Sequence, residues 1–150
     1  MSELELRIVA EARRWIGTPY RHQASARGEG ADCLGLVRGI WRSLHGAEPE
    51  TLPHYTADWA ERGGSETLLQ AAQTHLFPIA ITAAGSGDVI LFRFAPDCPA
   101  KHCAVLSGPE TMIHAWQGRS VCETGLGRWW LRRRCAVFRF PAPLTGHFHG

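Results

Sequence analysis

The chain opens with an amphipathic stretch in which Leu4, Ile8, Ala12, Trp15 and Ile16 recur at helical spacing, with Glu and Arg residues between them. This pattern predicts a first helix, and Ser2 with Glu5 three residues on matches a capping box at its start. Thr18-Pro19 should end it, because proline pushes the preceding residue out of the α region. After a polar loop from Arg21 to Ala31, a second apolar face is cleaner. Cys33, Leu36, Val37, Ile40, Trp41 and Leu44 lie at offsets of 3, 4, 7, 8 and 11, predicting a helix from Cys33 to Leu44. Asp32 is its expected N-cap and Gly46 its terminator. Ala47 to Gly64 has loop composition, with Pro49, Pro53 and a Gly63-Gly64 pair, and Ser65 to His75 predicts a short third helix closed before Pro78.

Beyond Gly85-Ser86-Gly87 the period changes. Asp88 to Phe94 is a near-continuous apolar run, the pattern of a strand covered on both faces. His102 to Ser107, Thr111 to Trp116, Ser120 to Glu123 and Cys135 to Phe140 predict further short strands, with a helical turn over Arg128 to Arg134. Helices followed by antiparallel strands describe an α+β fold. No repeat, low-complexity tract or linker divides the chain, so residues 1–150 are expected to form one domain.

Composition narrows the function classes. With 45% hydrophobic and 20% charged residues among 150, the chain is neither disordered nor fibrous. Sixteen Lys+Arg against fourteen Asp+Glu, a net charge of +2, leaves no electrostatic footprint for nucleic acid. No apolar run reaches the roughly 18 residues needed to span a bilayer, so stable membrane insertion is not expected. The first ten residues are acidic and amphipathic, unlike a secretory signal, and predict synthesis in the cytoplasm. Five cysteines, at 33, 98, 103, 122 and 135, are an odd number and read as reduced thiols rather than a disulfide framework.

One of these thiols stands apart. Cys33 begins the second helix, where backbone N–H groups lack intrahelical partners, and helix N-termini favour a thiolate and hold oxyanions. The same position also suits a small buried hydrophobe. Two histidines change the balance. If Ser107 pairs with Thr111 across a three-residue loop, His102 opposes Trp116 and His114 opposes Ala104. Both imidazoles then project from one sheet face as diagonal neighbours, about 7–8 Å apart at the backbone. A slip of one residue would separate them. Cysteine, base and orienter form the set that nucleophilic catalysis uses.

Trp15-Ile-Gly-Thr-Pro-Tyr20, Asp32-Cys-Leu-Gly-Leu-Val37, Gly87-Asp-Val-Ile-Leu-Phe92, His102-Cys-Ala-Val-Leu106 and Met112-Ile-His114 together resemble the NlpC family of papain-like cell-wall cysteine peptidases. Gly17 to Gln23, Trp129-Trp130 and Phe138 to Pro141 resemble the phage-tail and gene-transfer-agent branch of that family. The resemblance implies a papain-like α+β fold: N-terminal helices on a five- to six-stranded antiparallel sheet, with the nucleophile at a helix start. It implies Cys33 as the nucleophile, His102 as the base and His114 as the group orienting it. It places Tyr20 beside the nucleophile as a donor to oxyanion or substrate. Asp32 caps the helix and meets a substrate amine, and His22 and Trp116 border the cleft. Leu34, where most of the wider family has Ser, alters a cleft wall and so bears on specificity. The implied substrate is the peptidoglycan stem peptide, cut between D-glutamyl and a diamino acid, with no metal or cofactor. A wall substrate for a chain without a signal implies delivery to the cell wall or periplasm by a tail particle, with tail proteins as partners, or release at lysis.

Two other readings compete. A catalytically silent wall-binding or tail-assembly subunit would keep the same fold. A zinc module would draw on Cys98, Cys103, Cys122, His102 and His114, but Cys98 and Cys103 lack a second close ligand pair. Arg128, Arg132, Arg133 and Arg134 read as a solvated face, the tryptophans as packing, and His45, His54, His75, His147 and His149 as surface or tail residues.

Overall fold

Helix α1, Glu3–Arg14, begins on the expected capping box: the Ser2 hydroxyl accepts from the Glu5 N–H at 3.1 Å, and the Glu5 carboxylate accepts from the Ser2 N–H at 3.2 Å. The protein is seen here as a computed structural model that describes residues 1–49 and 66–143. Most of the expected loop up to Gly64, with His54 and Trp59, and the tail with His147 and His149 lie outside the described residues. Within the polar loop after α1, β1 (Ser25–Ala26) and β2 (Gly30–Ala31) form a two-residue antiparallel ladder that the sequence pattern did not announce. Helix α2 runs Cys33–His45 between its Asp32 N-cap and Gly46, whose φ of 82° is the left-handed turn that glycine adopts without steric cost. Helix α3 is Thr67–His75.

Besides a 3-10 turn at Ile81–Ala83, the remaining elements are β3 (Phe77–Ile79), β4 (Val89–Phe92), β5 (His102–Leu106), β6 (Thr111–Trp116), β7 (Arg119–Gly125), α4 (Arg128–Leu131) and β8 (Arg134–Arg139). Six strands pair antiparallel in the order β3-β8-β4-β5-β6-β7, giving the α+β architecture with six strands in its main sheet. Pro78, expected only to close the third helix, lies in β3. That strand pairs with β8 alone, so the missing N–H falls on a sheet edge where it is tolerated.

The central strands β4, β5 and β6 are buried on both faces, as the unbroken apolar run of β4 requires. One face carries Leu91, Cys103, Val105 and Ile113 against Ile8, Ala12, Leu36 and Ile40 of α1 and α2. The opposite face carries Ile90, Phe92, Ala104 and Met112, with Trp130 of α4 packed over it. Leu36 and Ile40 are fully enclosed, each worth about 1.5–3 kcal/mol in area removed from water. The two helices approach closely because Gly39 has no side chain: a Cβ there would lie 2.0 Å from the Trp15 ring. The start of β4 is tied to β8 by a two-point ion pair, Arg139 donating to both Asp88 oxygens at 2.9 Å.

Candidate active site

The start of α2 is built around Asp32. One carboxylate oxygen accepts from the Gly35 N–H at 2.7 Å and the other from the Gln23 N–H at 2.8 Å, so one buried side chain caps the helix and anchors the preceding loop. Gln23 takes a left-handed φ of 64°, uncommon for a residue with a Cβ, at the point where Asp32 holds its N–H. Gly35 lies against that loop, since a Cβ there would meet the Ala24 carbonyl oxygen at 1.9 Å. His22 Nδ1 stands 3.9 Å from the Asp32 carboxylate.

Cys33 is the first helical residue and is 8% exposed. Its neighbour across the core is Cys103 on β5. A hydrogen bond with Cys33, then burial, pushes the Cys103 thiol well above its usual range, so Cys103 keeps its proton beside the Cys33 sulfur. Tyr20 is half-buried nearby. Burial first, then the charges of Asp32 and Cys33, push its phenol up to about 12, so it remains a protonated donor. Leu34, the next residue, is also 8% exposed and belongs to the core cluster on the helical face of the sheet.

The histidine pair forms on β5 and β6. Val105 opposes Ile113 and Leu106 opposes Met112, the register expected from the three-residue loop, and the Ser107 N–H donates to the Thr111 carbonyl at 3.1 Å. In that register His102 Nε2 lies 2.8 Å from His114 Nδ1, and His114 Nε2 lies 3.0 Å from the Thr124 hydroxyl. Burial, then the neighbouring His114 and Lys101 charges, holds the His102 imidazole well below its ordinary range. Burial brings His114 down to about 4. Both rings are therefore neutral at pH 7. If His102 Nε2–H donates to His114 Nδ1, then His114 Nε2–H donates to Thr124 and the His102 Nδ1 lone pair is left open. That tautomer is the one a base requires.

An aromatic wall encloses the pair. Trp116 meets His102 edge-on at 4.9 Å between ring centroids, and Trp130 lies 5.3 Å from each imidazole. Phe92 and Phe94 stand 5.9 and 6.2 Å from His102. Trp130, assigned to packing by the sequence pattern, is thus in ring contact with both histidines.

The arrangement joins some of the expected residues and not others. His102 and His114 are in direct contact, and Tyr20, Asp32 and His22 gather at Cys33. Among the described residues, no hydrogen bond joins the Cys33 sulfur to either imidazole. Strand alternation gives the reason: Cys103 faces α2, while His102, the preceding residue, faces the Trp130 side at the end of β5.

Cys103, Thr124 and Trp130 escaped the sequence reading. Thr124 was within reach: carrying the β6–β7 pairing one residue past Glu123 sets Thr124 opposite Met112, diagonal to His114. Trp130 had no local signal, because α4 reaches the sheet only through tertiary folding. Among the described residues no group of three His, Cys, Asp or Glu side chains is placed to hold a metal ion.

The chain matches the model of the NlpC/P60 family over residues 17–139. No curated protein matches it. Among solved structures it is similar to the NlpC/p60 domain of the peptidoglycan hydrolase SagA, with a TM-score of 0.64 and 23% identity over 91% of this chain and 98% of that one. It is similar to the peptidoglycan hydrolase RipB of Mycobacterium tuberculosis, with a TM-score of 0.59 and 17% identity over 91% of this chain and 64% of that one. RipD of Mycobacterium tuberculosis, a non-catalytic NlpC/p60 domain protein adapted to peptidoglycan binding, aligns with a TM-score of 0.60 and 16% identity over 93% and 98% of the two chains. Four longer similar structures are covered over only 40 to 47% of their length. These identities speak to the fold, which is the papain-like fold of the solved NlpC/P60 domains. The family-model match spans most of the sequence, from the loop before the Cys33 helix to the last strand, and the chain belongs to the NlpC/P60 family.

Proposed function

We propose that the protein is a cell-wall endopeptidase that cleaves a stem-peptide amide of peptidoglycan, between D-glutamyl and a diamino acid, through a Cys33 acyl-enzyme. The observation that carries this reading is the neutral His102–His114–Thr124 hydrogen-bond chain, together with a cysteine that begins a helix, in a chain of this family. His102 Nδ1 takes the Cys33 proton as the sulfur attacks the carbonyl carbon. The oxyanion faces the Cys33 and Leu34 N–H groups, which begin α2 without intrahelical acceptors, and the Tyr20 phenol. The imidazolium then protonates the leaving amine, and water, deprotonated by the same nitrogen, releases the acid and restores the thiol. His114 holds the ring of His102, and the Cys103 thiol donates to the Cys33 sulfur as it gains charge. Catalytic hydrogen bonds commonly tighten only when substrate is bound, which fits the absent sulfur–imidazole bond.

Delivery to the wall by a phage-like tail particle, or release at lysis, belongs to this reading, with tail proteins as its partners; its support is the likeness of Gly17 to Gln23, Trp129-Trp130 and Phe138 to Pro141 to the phage-tail branch. Mass spectrometry of peptidoglycan after incubation with the wild type and with Cys33→Ser tests the chemistry. Stem-peptide fragments are expected from the wild type alone. Equal products from both proteins, or none from either, overturn the reading.

A second reading has its own observation. The family includes the non-catalytic RipD, and among the described residues no hydrogen bond joins the Cys33 sulfur to an imidazole. A wall-binding subunit would retain insoluble peptidoglycan affinity and release no fragments.

A further inference from the structure

Two sulfurs meet where the helical layer joins the sheet. Cys33 begins α2, and Cys103 lies in β5 opposite Leu91, on the sheet face that packs against that helix. Both belong to the same buried cluster, both are free thiols, and a hydrogen bond joins one to the other. Among the described residues no other two cysteines are in such contact. Cys98 stands 3.9 Å from the Asp97 carboxylate, Cys135 donates to the Leu91 carbonyl at 3.5 Å, and Cys122 is on β7.

Packing does not call for a sulfur at position 103. The residues that share its face of the sheet, Leu91, Val105 and Ile113, are aliphatic, and a cysteine fills such a place only as a small hydrophobe does. What distinguishes it from a hydrophobe is redox chemistry. Two thiols in contact can give up two electrons together and end as a disulfide, whereas an isolated one can only take up oxygen step by step. The two are not equivalent. Cys33 keeps 8% of its surface open and Cys103 only 1%, so a small oxidant arriving from solvent meets Cys33 first. Cys103 stands behind it, with its proton in place.

We propose that Cys33 and Cys103 form an oxidative modification site, in which a hydroperoxide converts Cys33 to a sulfenic acid and Cys103 resolves it to a disulfide that reversibly takes the Cys33 sulfur out of use. This goes beyond the cleavage chemistry, since the sulfur reactions hold whether or not the chain cuts a stem peptide. In the first step the Cys33 sulfur attacks one peroxide oxygen and the O–O bond breaks. The departing hydroxide takes the Cys33 proton and leaves as water when the oxidant is hydrogen peroxide. In the second step the Cys103 sulfur attacks the Cys33 sulfur, the S–O bond breaks, and the hydroxyl leaves with the Cys103 proton as a second water. Two thiols have then lost two electrons to one peroxide, and the sulfurs have closed from hydrogen-bond contact to about 2 Å. A dithiol reductant reverses the bond by exchange, leaving as its own cyclic disulfide and returning both thiols. The sulfenic acid is consumed before a second peroxide reaches it, which spares Cys33 the irreversible acids further up the ladder.

Thiol mapping by mass spectrometry tests this without relying on cleavage. The full chain is treated with hydrogen peroxide, remaining thiols are blocked with N-ethylmaleimide, and the protein is digested without reductant. A peptide pair joined through Cys33 and Cys103 of one chain is expected. Dithiothreitol should return at least about five-fold more Cys33 thiol than in Cys103→Ala, where Cys33 proceeds to sulfinic and sulfonic acids. Cys103→Val, which matches the aliphatic neighbours of the site, should behave as Cys103→Ala does, and the wild-type peptide map decides the question even if neither variant folds. Cys33 over-oxidised in the wild type as fast as in the variants overturns the proposal. So does Cys33 joined to Cys98, Cys122, Cys135 or a second chain, and so does a Cys33 that peroxide leaves untouched. A protein that forms the disulfide but cleaves nothing when reduced would keep the pair and remove the hydrolase reading. One that cleaves peptidoglycan but never joins Cys33 to Cys103 would remove this inference alone.

Discussion

His114 shows how far one residue's environment departs from its ordinary chemistry. Its ring is lowered to about 4 by burial, so between pH 6.5 and about 4 the unfolded chain binds a proton that the folded chain does not. The contribution to stability is complete above pH 6.5 and is lost as the pH falls through that window, by about 2 kcal/mol at pH 5. Urea midpoints at pH 7 and pH 5 should show that loss, and His114→Gln should flatten the slope. The same shift affects activity: with His102 also held low, the acid limb of kcat/KM should lie below pH 6.5, where an ordinary histidine base would already be protonated. Thr124 acts through His114. Thr124→Val removes the 3.0 Å contact and should lower kcat by about three- to ten-fold with KM nearly unchanged, whereas Thr124→Ser should restore it. The histidine pair was legible in the sequence because a short loop fixes register, and register fixes which side chains share a face. Thr124 was one residue beyond the predicted strand end, and strand ends are set by pairing rather than by local pattern.

Helix α2 and the loop before it behave as one element, joined through Asp32 and by the close approach at Gly35. Gly35→Ala must push the Ala24 carbonyl away from 1.9 Å, and is expected to destabilise the fold by about 2–3 kcal/mol in urea unfolding. Asp32→Ala should cost about 1–2 kcal/mol as a lost cap, and more if the Gln23 N–H is left without an acceptor. Activity should fall further than stability in both, because the same backbone positions the Cys33 N–H. The caps, the apolar stripes and the terminating glycine of α1 and α2 were readable because each is a relation among residues within a few positions of one another. The β1–β2 ladder was not, since two-residue strands have no periodicity to detect.

At the scale of the whole molecule the informative strand is the last one. β8 inserts between β3 and β4, so an inner strand of the sheet comes from the end of the described chain. A chain truncated after Arg133 loses both neighbours' pairing together with the Asp88–Arg139 bridge, and is expected to show no cooperative thermal transition and no near-ultraviolet circular dichroism. Sequence alone determined the helices, most of the strands, the α+β class, the histidine register and the singular position of Cys33, because periodicity, caps and short loops are local and each restricts the backbone directly. Tertiary structure decided the strand order, the closure of α4 over the imidazoles and the Cys33–Cys103 contact. Those depend on which distant surfaces exclude water together, and no spacing along a chain encodes that. It also decided that sulfur and base start on opposite faces of β5, a consequence of alternation that became visible only once α2 had chosen its side of the sheet.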